Sequence, residues 1–160
     1  MTMMALLGLF GAAFVAASVL PGSSEAVILL LLARGSEPLL LWVVATIGNV
    51  LGAVLNWGLG IWAMAYRDRR WFPVRQTSLD WAQARFHRWG LASLLLSWVP
   101  GIGDAFTVAA GALRIPLGIF LVLVTIAKGG RYAAVIWIAD DLGLGQAGVD
   151  LAARLLGGLG

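Results

Sequence analysis

The sequence predicts an all-α integral membrane protein made of two inverted repeats, each a re-entrant helical hairpin followed by one transmembrane helix. Three observations carry this reading. The 160 residues are 61% hydrophobic and only 12% charged, with a mean hydropathy of +0.91; a soluble domain carries roughly a quarter charged residues. Two Pro-Gly breaks interrupt apolar sequence, each followed three residues after its glycine by a carboxylate: Pro21-Gly22-Ser23-Ser24-Glu25 and Pro100-Gly101-Ile102-Gly103-Asp104. The same order of parts then follows both breaks, at a constant offset of 79 residues. The length allows one membrane domain over 1–160. Within it, repeat 1 covers about 12–65, a basic connection 66–90, repeat 2 about 91–140 and a short tail 141–160.

Met3 to Leu20 is apolar and rich in small residues, which let membrane helices approach closely. Ala16-Ala17 would suit a signal-peptide cleavage site, but no basic segment precedes it and the run leads into Pro21-Gly22. It is therefore read as part of the mature chain. Ala26 to Ala33 spans only eight residues, whereas a crossing needs roughly 20. It is expected to turn back as half of a hairpin and to leave through Arg34-Gly35-Ser36-Glu37-Pro38. Leu39 to Ala65 is long enough to cross. Its Gly48-x-x-x-Gly52 spacing puts two glycines on one face for tight packing, with Asn49 and Asn56 sharing a face near that seam.

Six of the eleven basic residues lie between Tyr66 and Gly90, opposed only by Asp68 and Asp80. The positive-inside tendency makes this connection cytoplasmic. Thr77 or Ser78 would cap a helix running to Trp89, lying on the interface or packed as a solvated helix on the bundle. The patch is short and flanked by spanning segments, which argues against nucleic acid as a partner.

The pattern then returns. Leu91 to Val99 and Ala105 to Leu113 are nine residues each, on either side of the second break, with Arg114-Ile115-Pro116 as the exit. Leu117 to Ala139 crosses, and Asp140-Asp141 marks an outer end. Val149 to Leu159 reads as a weakly amphipathic tail. A gapless overlay of 18–61 on 97–140 pairs Ser18 with Ser97, Pro21 with Pro100, Ala33 with Ala112 and Thr46 with Thr125, and sets Glu25 on Asp104. One crossing per copy makes the second copy start from the opposite side, so the hairpins should meet near the midplane.

Four ionisable groups fall at membrane depth: Glu25, Asp104, Lys128 and Arg131. Such groups are expensive in a bilayer and face the interior with partners. Lys128 and Arg131 are three apart and share a helix face. One reading brings the hairpin acids towards that face, with Asn49 and Asn56 supplying hydrogen bonds. The other makes Glu25 and Asp104 helix caps and the charges mere glue, although apolar replacement of a buried ion pair is often neutral or stabilising.

The chain has no cysteine and one histidine, His87, so neither a metal site nor any other cofactor is expected. No Ser/His/acid set or phosphate loop is present, which argues against an enzyme. The eight tryptophans, among them Trp42, Trp62, Trp71, Trp89 and Trp98, are assigned mostly to an interfacial belt.

Several segments, in this order, resemble the DedA family, also called the SNARE-associated Golgi protein or VTT domain, and within it the short YqaA-like branch. They are Pro21-Gly22-Ser23-Ser24-Glu25, Ala45-Thr46-Ile47-Gly48-Asn49 with Gly52, Asn56 and Gly60, Ser97-Trp98-x-Pro100-x-x-Gly103-Asp104, Ala110-Gly111-x-x-Arg114, and Lys128-x-x-Arg131-Tyr132. The resemblance implies two opposed re-entrant hairpins and a multi-pass place in the bacterial inner membrane. It also implies movement of undecaprenyl phosphate or phospholipid, coupled in several relatives to protons through membrane carboxylates. Glu25 stands at the family's first acidic position. The family's Gly-Asp on the first crossing helix reads Gly52-Ala53 here, and two arginines around its hairpin proline read Ser97 and Gly103.

The expectation is a flippase for a phosphate-bearing lipid. Glu25 and Asp104 are its proton-coupling acids, and Lys128, Arg131 and Arg114 bind the head group. Asn49, Asn56 and Tyr132 support them, and Pro21, Gly22, Pro100 and Gly101 form the breaks. Half-helix N-termini at those breaks add favourable dipole ends. Membrane lipid and protons are the expected partners, and glycine-rich faces are compatible with a homodimer. The alternatives are a small-ion or solute transporter using the same acids, and a non-transporting scaffold that binds partners through the basic connection.

Overall fold

Apolar runs without polar punctuation fold into helices here, because in a medium without water every backbone N–H and C=O must be satisfied within the segment. The structure, a computed structural model, describes residues 2–17, 23–66, 90–99 and 102–143. The elements among them are α1 (Met3–Ala16), α2 (Ser23–Ala33), α3 (Pro38–Tyr66), a 3₁₀ helix (Gly90–Trp98), α4 (Ile102–Ala112) and α5 (Leu117–Asp141). The described residues contain no strand. Both Pro-Gly breaks, residues 67–89 of the basic connection and the tail from 144 onward lie outside the described residues.

Length separates two kinds of helix. Pro38–Trp62 within α3 and Leu117–Asp141 are apolar stretches of 25 residues each. At about 1.5 Å per residue they exceed a hydrocarbon core of about 30 Å. α2 and α4 have 11 residues each and cannot cross alone. Burial then distinguishes spanning helices from core helices of a soluble protein. Within an apolar 18-residue window of each, only 44% and 33% is buried. Ile47, Leu51, Leu55 and Leu59 line one outward face of α3 at four-residue spacing, each about half exposed. The inward face carries Asn49, Ala53 and Asn56. An apolar exterior with a polar stripe inside suits lipid as solvent.

Elements recur at a fixed offset. α2 and α4 have equal length and begin at Ser23 and Ile102; α3 and α5 begin at Pro38 and Leu117. The turns that follow α2 and α4 are also alike. Gly35 and Arg114 both take positive φ, at 73° and 54°. The Gly35 N–H donates to Leu32 O at 2.9 Å and the Ser36 N–H to Leu31 O at 3.0 Å. The Arg114 N–H donates to Gly111 O at 2.9 Å and the Ile115 N–H to Ala110 O at 3.0 Å. Each pair is a Schellman termination, which satisfies the last carbonyls and reverses the chain.

Small residues set the close approaches. A Cβ on Gly48 would lie 2.7 Å from Phe10 O, and one on Gly52 2.6 Å from Phe14 O, so the predicted glycine face receives α1. On the other side of α3, Cβ atoms on Gly60 and Gly111 would overlap the Val108 and Trp57 carbonyls. α3 and α4 therefore pack backbone on backbone. These glycine faces serve contacts inside the chain.

Two apolar clusters result. One joins Ala53, Leu94, Phe106, Ala109, Phe120 and Val124 from α3, the 3₁₀ helix, α4 and α5. The other joins Leu9, Ala13, Ile28, Leu41, Ala45 and Tyr132 from α1, α2, α3 and α5. On α3, Ala45 belongs to the second cluster and Ala53 to the first, with Asn49 halfway between. On α5, Val124 belongs to the first and Tyr132 to the second, with Lys128 halfway between. The seam between the clusters is where the polar side chains meet.

Candidate functional site

Glu25 and Asp104 occupy the third position of α2 and α4 respectively. The first turn of a helix leaves N–H groups without partners and favours an acid. The carboxylates reach other helices as well. Glu25 Oε1 pairs with Arg131, and Asp104 Oδ1 lies 3.9 Å from Lys128 Nζ. Lys128 and Arg131 stand one turn apart on α5, as the spacing predicted, and each takes one acid.

Lys128 is enclosed, with its side chain 6% exposed; those of Asp104, Arg131 and Glu25 are 23%, 19% and 16% exposed. The ammonium donates to Asn49 Oδ1 in a buried hydrogen bond. This contact fixes the amide orientation, because Lys offers only donors. Asn49 Nδ2 then donates to the Tyr132 hydroxyl at 2.7 Å. That hydroxyl, already accepting from Asn49, gives its own proton to Ser24 Oγ at 2.9 Å. Ser24 Oγ donates to Glu25 Oε2 at 3.2 Å. The polarity of the whole chain follows from one ammonium at its head and one carboxylate at its foot. An unbroken run of polar contacts thus joins the Asp104–Lys128 pair to the Glu25–Arg131 pair through α5, α3 and α2.

Glu25 Oε2, the Ser24 and Tyr132 hydroxyls and the Asn49 amide are joined to one another and, through Asn49, to Lys128. Buried ions cost several kcal/mol each in lost hydration, and good pairing with full hydrogen bonding is what offsets it.

Other predicted residues go elsewhere. Asn56 Nδ2 donates to Ala17 O at 2.7 Å and contacts Thr107 Oγ1 at 3.3 Å, tying the end of α1 to α4. Thr107 Oγ1 in turn donates to Asp104 O at 2.8 Å. Arg114 is exposed in the turn after α4. It lies about 15 Å along either helix from Asp104 and Lys128, so the structure does not bring it to the two other cations. Pro21, Gly22, Pro100 and Gly101 lie outside the described residues. Trp42 is half-buried and donates Nε1–H to Gly129 O at 2.8 Å, one turn from the cations, whereas Trp62 and Trp98 keep the exposure expected of a belt. Sequence reasoning missed Ser24, whose one signal was its place beside Glu25. No group of three or more His, Cys, Asp or Glu that could hold a metal occurs among the described residues.

Comparison with known proteins now decides the family. The inner membrane protein YqaA of Escherichia coli K12 is 38% identical over 135 residues, covering 82% of this chain and 89% of that protein. The YqaA of Shigella flexneri matches to the same extent. The chain belongs to the YqaA-like branch of the DedA family. An uncharacterized Haemophilus influenzae protein is 33% identical over 139 residues, covering 82% and 85% of the two chains. No family model and no solved structure matches. Membership and the apolar helices place the chain in the inner membrane. Ala53, next to Gly52 on α3, is fully buried in an apolar cluster. The carboxylates of the site stand on the two short helices, α2 and α4.

Proposed function

We propose that this protein is a DedA-type flippase that moves a phosphate-bearing lipid across the inner membrane. Glu25 and Asp104 are its proton-coupling acids, and it acts as a carrier and not as an enzyme. The observation that carries the reading is the meeting of two acid–base pairs, each partly exposed, at the seam of the two apolar clusters. Ionisable groups at membrane depth mark substrate or proton pathways.

The reading includes two inverted repeats whose hairpins enter from opposite faces. The equal lengths and matched turns of α2 and α4 support it. So does the bond between Asn49 and Lys128, which are 79 residues apart and hence counterparts in the two copies. Contact between counterparts is what a two-fold axis running close to them predicts. Lipid is favoured over a soluble solute by an apolar cleft of about 490 Å³ between the 3₁₀ helix and α5, lined by Leu91, Leu95, Ile119 and Val122 among others. Such a cleft suits an acyl chain beside the helix that bears the cations.

The test is lipid movement in proteoliposomes. Glu25→Gln and Arg131→Ala are expected to reduce the rate at least roughly tenfold, a barrier change of about 1.4 kcal/mol, while circular dichroism stays helical. Unchanged movement in both variants would count against the reading.

A further inference from the structure

We propose that Glu25 is a tethered competitor for the ligand: its carboxylate occupies the place on Arg131 that a phosphate oxyanion takes, and loading exchanges one for the other. The ligand class rests on the transport reading above; the exchange itself rests on the geometry. Carboxylate and phosphate present oxygens to the same planar guanidinium fork. Glu25 Oε1 has Arg131 as its one partner among the described residues, while Oε2 is held by Ser24 Oγ. Glu25 can therefore release Arg131 and stay anchored. Lys128 is the poorer docking group, because its Nζ is committed to Asn49 and Asp104 and its side chain is only 6% exposed against 19% for Arg131. Arg131 is the reachable cation and Lys128 the post at the seam.

Charge balance gives the exchange a second consequence. Glu25, Asp104, Lys128 and Arg131 sum to zero when all are ionised. An entering anion leaves an excess negative charge at membrane depth, which is costly. A proton taken up by Glu25 both removes that excess and frees the guanidinium. The groups that face Glu25 are Arg131, Lys128 and Tyr132 of α5, with Asp104 of α4 beyond Lys128. α1 and residues 38–65 of α3 carry no ionisable side chain.

The test is equilibrium binding to the purified full chain in detergent, where no transport is needed. The probes are dihexanoyl phosphatidylglycerol, a diester with no group titrating between about pH 6 and 8, and inorganic phosphate at a single pH. Glu25→Gln is expected to bind at least one of them roughly tenfold more tightly than the wild type. The probe that gains more tells whether the site takes a lipid head group or free phosphate. Arg131→Gln is expected to bind roughly tenfold more weakly. Wild-type affinity for the diester is expected to fall as pH rises from about 6 to 8, by as much as about tenfold per unit, and the fall to be shallower in Glu25→Gln.

Glu25→Gln that binds neither probe more tightly, or that keeps the wild-type pH dependence in full, overturns the proposal. If Glu25→Gln does not fold, Glu25→Ala is measured by the same two criteria. A complete exchange signature without lipid movement in proteoliposomes sinks the transport reading and leaves this one standing; lipid movement without the signature does the reverse.

Discussion

Tyr132 is the residue on which the site's geometry turns. Its ring is fully buried in an apolar cluster while its hydroxyl bridges Asn49 and Ser24. Tyr132→Phe keeps the packing and breaks the bridge. The loss is expected to be about 1–3 kcal/mol, because two buried partners each lose a bond; thermal unfolding in detergent measures it. Lys128→Met is expected to cost more, about 3–5 kcal/mol, because it strands a carboxylate and an amide oxygen. An equal or smaller loss for Lys128→Met than for Tyr132→Phe would show that Asp104 is well hydrated in the folded state. The two proposed repeats are not equivalent at this scale. The counterpart of Ser24 is Gly103, which has no hydroxyl and packs its backbone against Ser97. Glu25 reaches Lys128 through Ser24, Tyr132 and Asn49, whereas Asp104 pairs with Lys128 directly.

At the scale of elements, the decisive contact is α3 against α4. Gly111→Ala would drive a methyl into the Trp57 carbonyl and Gly60→Ala one into the Val108 carbonyl. The atoms met are backbone, so the helices themselves must separate; overpacking of this kind costs about 1–3 kcal/mol. Gly118→Ala and Gly130→Ala meet open space in the same protein. They are expected to be neutral or to stabilise by up to about 1 kcal/mol through helix propensity. Equal melting temperatures across the four variants would mean that α4 does not dock on α3 in solution. Asn56 belongs to the same scale, since its amide ties Ala17 to Thr107 and hence α1 to α4.

For the whole molecule, the proposed inversion has a direct topological consequence. The turn after α2 should emerge outside and the turn after α4 inside, because the positive-inside tendency assigns the basic connection between the proposed repeats to the cytoplasm. The chain has no native cysteine, so single-cysteine variants report cleanly. Glu37→Cys is expected to react with an impermeant thiol reagent in intact cells, and Arg114→Cys only in inverted vesicles. Labelling of both from one side contradicts inverted repeats. Ile47→Cys and Leu55→Cys, on the apolar outward face of α3, are expected to be shielded from either side.

The all-helical class, the two crossing segments and the identity of the charged residues were legible in the sequence, because each follows from local facts. Run length against bilayer thickness separated α3 and α5 from α2 and α4, and the cost of charge in lipid singled out Glu25, Asp104, Lys128 and Arg131. The glycine spacing named the face that α1 covers. Partner choice was not legible. Asn49 and Asn56 share a face of α3, yet one meets Lys128 and the other meets Ala17 and Thr107. Arg114 matches a family segment yet sits in an exposed turn. Spacing along a helix fixes direction, but which neighbour lies in that direction depends on how closely the helices approach. Only the packed chain could decide that Ser24 and Tyr132 would connect the two ion pairs.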